Sequence, residues 1–168
     1  PGYAALATEN NEPLRFNTEN TAHYITDYQG ELLDAIVDNM ASLDNLSKQQ
    51  ILQERRLLAE SGVISYASLL PVIEKLTQES SYLVVSAVSS ILQGLSLFVD
   101  EGTEVEAAYK KLLVTFNQFN FERLGFEPKA GEADEDEMVR QLVISNMIKG
   151  DDAKASAKAS EIYAAHAE

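Results

Sequence analysis

The sequence predicts an all-α fold, and three observations lead to this prediction. From Gly30 almost to the last residue, apolar side chains recur every three to four positions, which is the spacing of one helix face. The eight glycines fall mainly between these periodic stretches, where helices end. The 168 residues are 45% apolar, which is enough for one domain with a sizeable core.

The first residues differ from the rest of the chain. Residues 1–13 are polar and show no period, whereas residues 14–16 and 23–28 have the composition of short β-strands. Turn-forming residues at 17–20 separate the two. Two short strands do not form a stable sheet alone, so we expect them to pair with strands of a longer protein.

Two domains are therefore expected. Residues 1–29 are interpreted as the end of an upstream β-sandwich domain plus a linker. Residues 30–168 are interpreted as a helical-repeat domain whose C-terminus is truncated, because a helical pattern still runs at the last residues.

Helix-breaking and helix-capping residues separate the first helices. A periodic run from Gly30 is interrupted at Asp44, and Ser47 with Gln50 has the spacing of a capping box for the next helix. That helix stops at Gly62. A third helix follows, and Pro71 inside it predicts a kink.

The fourth helix, expected over residues 81–99, carries no charged residue. A run of this length is compatible with a membrane span, but it contains several serines, and its flanks are acidic at Glu79 and Asp100 rather than basic. A helix buried on most sides of a helical stack gives the same pattern, and this second interpretation is favoured.

Three more helices complete the chain. Thr103 and Glu106 have capping-box spacing at the start of the fifth helix. A loop at residues 125–131 precedes a sixth helix opened by Asp134, and Asp151 is expected to cap a seventh. Consecutive helices with short links predict an α-α superhelix of antiparallel helix pairs, similar to HEAT-type repeats, preceded by the one or two short strands.

Composition excludes several classes of partner. The net charge of −14 repels phosphate backbones and anionic lipid, so neither nucleic acid nor membrane is expected as a partner. Cysteine is absent, so disulfides and thiolate metal sites are excluded, and a cytoplasmic location is expected.

The sequence assigns no catalytic, cofactor-binding or metal-binding residue. His23 and His166 are the only histidines, they lie far apart, and neither has H-E-x-x-H spacing. There is no G-x-S-x-G element and no glycine-rich phosphate loop. An intrinsic hydrolase is therefore nearly excluded.

Two charged groups each allow a structural and a functional interpretation. The acidic run at residues 132–137 resembles the start of a calcium loop, but the glycine of such a loop is missing, and acidic residues are also favoured at helix N-termini. Glu54, Arg55 and Arg56 are expected to form salt bridges within the stack. The alternative is that the arginines bind a peptide carboxylate on a concave face.

Several segments together resemble one family. The chain has LGFEPKAGE at residues 124–132, followed by Arg140, and this resembles the family's L-G-W-x-P-x-x-G-E…R element. Residues 52–62 resemble its L-D-D-x-x-x-L-A-x-x-G helix end, and residues 79–82 its E-x-x-Y helix start. The family is the aminopeptidase N type of zinc metallopeptidase. Phe126 in place of tryptophan is a mild aromatic exchange, whereas other departures, such as Arg56 in place of phenylalanine and Val85 in place of tryptophan, suggest a divergent bacterial branch.

The resemblance implies a division of labour. In this family an upstream thermolysin-like domain binds zinc through H-E-x-x-H and a later glutamate, and a G-A-M-E-N stretch binds the substrate's N-terminus. None of these motifs occurs in this chain. The resemblance therefore implies the C-terminal helical domain of an enzyme that removes N-terminal amino acids from peptides.

The implied role of this part is non-catalytic. It would cover the active-site cavity and control peptide access, with the upstream catalytic and β-sandwich domains of the same chain as its partners and zinc held upstream. The alternative function, which helix periodicity supports equally well, is a free-standing α-solenoid that binds another protein.

Overall fold

The structure is a computed structural model that describes residues 14–19 and 21–166. Seven α-helices occur in these ranges: α1 Gly30–Asp38, α2 Asn45–Glu60, α3 Leu70–Glu74, α4 Tyr82–Leu95, α5 Glu104–Leu124, α6 Asp136–Lys149 and α7 Ala153–His166. Short 3-10 helices span Met40–Ser42, Tyr66–Leu69 and Ser96–Phe98. No strand is present in the described ranges, and the all-α prediction is confirmed.

The β-strands predicted at residues 14–16 and 23–28 do not form in the described residues. The backbone has no neighbouring strand, so its N–H groups bond to side chains instead. Phe16 N–H donates to the Tyr28 hydroxyl at 2.8 Å, and Ala22 N–H donates to Asn17 Oδ1 at 2.9 Å. The expectation that this segment belongs to a preceding domain stays a prediction.

Helices α2, α4 and α6 lie side by side and run in the same direction. At one end, Lys48 Nζ of α2 lies 2.7 Å from Glu79 Oε1, just before α4. Tyr82 N–H at the start of α4 donates to Glu135 Oε2, just before α6, at 3.0 Å. Further along, Asn146 Nδ2 of α6 donates to Ser89 Oγ of α4 at 3.2 Å.

Helix α5 runs antiparallel to both α4 and α6. Tyr109 near its start donates to the Leu92 carbonyl near the end of α4 at 3.1 Å. Near its end, Arg123 Nη1 lies 2.7 Å from Asp136 Oδ1 at the start of α6. These directions agree with the predicted stack of antiparallel pairs in this part of the chain.

The core consists of two clusters of buried apolar side chains, and α4 contributes to both. Val84 and Ile91 point into the larger cluster with α1, α2, α3 and α5. Val85 points into the smaller cluster with α5, α6 and α7. The fully buried side chains of the smaller cluster are Leu124, Val139, Val143, Met147 and Ala155.

The uncharged run is an internal helix only as far as Leu95, and not to residue 99 as predicted, because Leu97 and Phe98 lie in a 3-10 helix and are exposed. Helix α4 has 14 residues, which at 1.5 Å per residue is about 21 Å, short of the ~30 Å apolar layer of a bilayer. Among the described residues, no helix combines the length and the apolarity that a membrane crossing requires.

Several helix starts differ from their prediction. Helix α2 is capped by Asp44, which accepts from Ser47 N–H at 3.0 Å, so the expected Ser47–Gln50 box is wrong. An aspartate three residues before Ser47 provides a charged acceptor and starts the helix earlier. Thr103 does cap α5, accepting from Glu106 N–H at 3.2 Å.

The remaining boundaries also shift. Pro71 lies in the first turn of α3, where a missing N–H is tolerated, so the predicted kinked helix is a 3-10 helix followed by a short α-helix. Helix α6 begins at Asp136 rather than Asp134. The cap of α7 is Asp152, which accepts from Ala155 N–H at 2.9 Å, instead of Asp151.

Replacing Leu92 by alanine tests the packing of α4. Leu92 is 1% exposed, so Leu92→Ala is expected to lower the free energy of unfolding by ~2–5 kcal/mol. Leu97→Ala is the matched control, because Leu97 is 81% exposed, and its effect is expected to stay within ~0.5 kcal/mol. Urea unfolding measures both, and equal losses would contradict the described packing.

Replacing Asp44 by alanine tests the cap of α2. The loss expected in urea unfolding at neutral pH is ~1 kcal/mol. Hydrogen bonds from Ser47 lower the pKa of Asp44 below its ordinary 3.8. The charged cap therefore stabilises the fold fully at pH values above the ordinary pKa of 3.8, and its contribution disappears as the pH falls through the lowered pKa of the folded state. Asp44→Asn keeps the capping oxygen and is expected to retain most of the stability. A larger loss for Gln50→Ala than for Asp44→Ala would contradict this cap.

Candidate functional site

A cleft lies between α2 and α4 near their C-terminal ends. Its volume is about 550 Å³, which is in the range of small-ligand sites. Its lining combines charged, hydroxyl, amide and aromatic groups, among them Arg56, Glu60, Tyr66, Ser90, Gln93 and Phe98. We call it the α2–α4 cleft.

One wall of the α2–α4 cleft depends on a glycine. The Tyr66 ring lies directly on the backbone of α4 at Gly94, where an added Cβ would come within 2.7 Å of the ring. Phe98 also packs against this tyrosine, with ring centroids 5.4 Å apart. A second cleft of about 410 Å³ lies next to the same aromatic pair.

The rim of the α2–α4 cleft is unusually apolar. Leu97 is 81% exposed and Phe98 is 64% exposed, although both are large apolar side chains. Single exposed apolar residues are common, but neighbouring ones beside a cleft are typical of contact surfaces.

The charges in the cleft are coupled to one another. Arg56 Nη1 binds Glu60 Oε1, one helical turn further along α2. Tyr66 donates its hydroxyl proton to the same carboxylate at 3.4 Å. Burial, followed by the negative charge of Glu60, raises the pKa of Tyr66. The cleft therefore offers a cation, an anion and a phenol for binding.

The structure places the two neighbouring arginines of α2 in different surroundings. Arg55 is 2% exposed and its Nη1 donates to the Tyr28 carbonyl at 3.3 Å. It is not available for a peptide carboxylate, so that interpretation is wrong for Arg55. Arg56 is partly exposed in the cleft and paired with Glu60, as the salt-bridge interpretation expects. A peptide-binding role for Arg56 stays a prediction.

The acidic run holds a loop against the stack. Glu132 binds Arg140, which lowers the pKa of this glutamate. Burial acts to raise the pKa of Asp136, but the hydrogen bonds from Arg123 and Ala133 N–H and the positive charges of Arg123 and Arg140 together outweigh it, and the pKa is lowered. Glu132, Glu135 and Asp136 thus have cationic or N–H partners, and α6 starts within the run, as the helix-start interpretation expects.

Metal ligands do not converge in this part of the molecule. Within residues 14–19 and 21–166, no group of three or more histidine, aspartate or glutamate side chains is arranged to hold a metal ion. His23 lies in the segment before α1, and His166 is the last residue of α7. Both side chains are exposed.

The comparisons with known proteins match most or all of the chain, and they agree with one another on the family. The family model described as "ERAP1-like C-terminal domain" matches residues 14–168. The chain belongs to this family. The match includes the described helices. Together with the relatives named Aminopeptidase N, it confirms the resemblance to the aminopeptidase N family.

Relatives of the chain include proteins from Lactococcus and Lactobacillus. The chain is 56% identical to an Aminopeptidase N of Lactococcus lactis subsp. lactis over its whole length. It is 46% identical to one of Lactococcus lactis subsp. cremoris (strain MG1363), also over its whole length, and 36% identical to one of Lactobacillus delbrueckii subsp. lactis over 99% of its length. It spans about 20% of the length of each of these relatives.

Replacing Glu60 by glutamine tests the electrostatics of the cleft. The substitution removes a negative charge beside Tyr66 and leaves Arg56 in place, so the pKa of Tyr66 is expected to fall. A pH titration of ultraviolet absorbance, compared with Tyr66→Phe to isolate one of the seven tyrosines, measures it. Glu137→Gln, at an exposed position of α6, is the control. An unchanged pKa in Glu60→Gln would contradict the described contact.

Proposed function

We propose that this chain is the non-catalytic helical domain of a zinc aminopeptidase, an enzyme that removes amino acids from the N-terminus of peptides. The observation that carries the proposal is the family match over residues 14–168. The relatives named Aminopeptidase N, of which the chain spans about a fifth, agree with it. The peptidase reaction then belongs to the remaining part of a longer polypeptide.

The residues of this chain do not fit a zinc ion. The described residues contain no cluster of metal-binding side chains, and the whole sequence has no cysteine and only two histidines. A catalytic zinc site needs three protein ligands around an open position. We therefore assign zinc binding to the upstream catalytic domain and derive no catalytic step for this chain.

The proposed role is to enclose the peptide and to select it by length. Its partners are the upstream catalytic and β-sandwich domains of the same chain, and residues 1–29 are proposed to continue from the second of these. A packed helical stack is suited to this role because it supplies a rigid wall without chemistry of its own. The absence of cysteine supports a cytoplasmic location, and the charge of −14 argues against nucleic acid as a partner.

We assign the α2–α4 cleft as the surface of this domain that meets the peptide. Arg56 presents a partly exposed guanidinium there, which can bind a carboxylate or a main-chain carbonyl. Leu97 and Phe98 provide apolar contacts next to it. A peptide long enough to reach the cleft would gain these contacts, whereas a single aminoacyl group would not.

Replacing Arg56 by glutamine in the full-length enzyme tests this proposal. We expect kcat/KM for long peptides to fall on the order of tenfold, since a charged hydrogen bond is lost. Turnover of an aminoacyl fluorogenic amide is expected to stay unchanged. Lys75→Gln is the control, because Lys75 forms an exposed pair with Asp38 outside the cleft. An equal fall of kcat/KM for the amide and for the long peptides would contradict the proposal.

A further inference from the structure

The segment before α1 is attached to the helices mainly through one residue. Tyr28 is 4% exposed and belongs to the larger core cluster. Its hydroxyl accepts from Phe16 N–H at 2.8 Å, and the two rings stack with centroids 6.4 Å apart. By contrast, residues 21–25 are exposed, and so contribute little buried area.

The segment crosses α2, and the hydrogen bonds that join the two are few and long. Thr26 N–H donates to Glu54 Oε2 at 3.4 Å, and Arg55 Nη1 donates to the Tyr28 carbonyl at 3.3 Å. Both distances exceed the usual range for N–H···O bonds. Glu54 is also bonded by Gln50 Nε2 at 3.1 Å, so its carboxylate is shared between α2 and the segment.

The charge at this crossing is buried. Burial lowers the pKa of Arg55, and the carboxylate of Asp27 acts in the opposite direction by favouring the charged guanidinium. Asp27 thus stabilises the cation from the segment side of the contact. Removing that carboxylate leaves a buried positive charge with less compensation, which weakens the closed contact.

Several buried polar atoms at the same crossing have no hydrogen-bond partner among the described residues. They are Thr26 Oγ1, Asp27 Oδ1 and Arg55 Nε. A buried polar atom without a hydrogen-bond partner costs free energy, and exposure of that atom to water removes the cost. Release of the segment exposes these atoms to water, and the free energy gained in this way offsets part of the free energy lost with the broken contacts. The crossing is therefore a site of low local stability.

We propose that residues 21–28 form a latch that releases from α2 as a unit while α2–α7 remain folded. The closed state is held by Tyr28 in the core, by the hydrogen bonds of Thr26 N–H and the Tyr28 carbonyl with α2, and by the attraction between the charges of Asp27 and Arg55. The release changes the direction in which the chain leaves the helical stack. The latch therefore sets how the helices are placed relative to whatever precedes them, and this inference does not depend on the proposed peptidase function.

The absence of native cysteine allows a direct test with single introduced thiols. Thr26→Cys places a thiol at the latch, and Val84→Cys places one in the core, at a site that is 0% exposed. Labelling of Thr26→Cys is expected to be at least tenfold faster than that of Val84→Cys and almost independent of urea, because local opening exposes little surface. Equal rates with equal urea dependence would overturn the latch.

A second substitution separates opening of the latch from simple exposure of the thiol. Asp27→Asn, combined with Thr26→Cys, is expected to accelerate labelling about tenfold, because it removes the charge that compensates Arg55. Asp34→Asn, at an exposed position of α1, is the matched control and is expected to change nothing. If Asp27→Asn also left the labelling rate unchanged, the thiol would be reacting in the closed state and the proposal would be wrong.

Discussion

The burial of α4 is the constraint on which the rest of the structure depends. This helix carries no charge, and its apolar side chains point into both core clusters. A helix that is apolar on most sides needs cover from several neighbours, because apolar surface left in water is unfavourable. Helices α2 and α6 cover two sides and α5 a third, so the order of the stack follows from one segment of sequence.

Polar contacts then fix how the covering helices are aligned. Glu79, just before α4, binds Lys48 of α2 through its side chain and Asn120 of α5 through its carbonyl. Lys48 is 5% exposed and Asn120 is 2% exposed, so both lie where an unpaired polar group is costly. Apolar packing alone tolerates sliding of one helix along another, whereas these paired groups are satisfied in one alignment.

Periodicity and breaker residues were enough to predict the helices, the central place of α4 and the cap at Thr103, since these depend on residues close together in sequence. The predicted capping box at Ser47 is wrong because Asp44, three residues earlier, caps the helix by accepting from Ser47 N–H, so that Ser47 already lies inside the first turn. The prediction of strands at residues 14–16 and 23–28 was wrong because a strand needs a neighbouring strand to pair with, and a local sequence pattern does not show whether one is present. The α2–α4 cleft was not predicted, because it arises where Tyr66 lies on Gly94, a contact between residues without any shared motif.

We propose that this chain, with its packed helices and its α2–α4 cleft, shapes the substrate cavity of a peptidase. The most direct test is a zinc-supplemented assay of this chain on an aminoacyl fluorogenic amide, beside the full-length enzyme. The account predicts turnover by the full-length enzyme alone. Zinc-dependent turnover by the isolated chain would contradict it, and would require ligands among residues that are here assigned to packing.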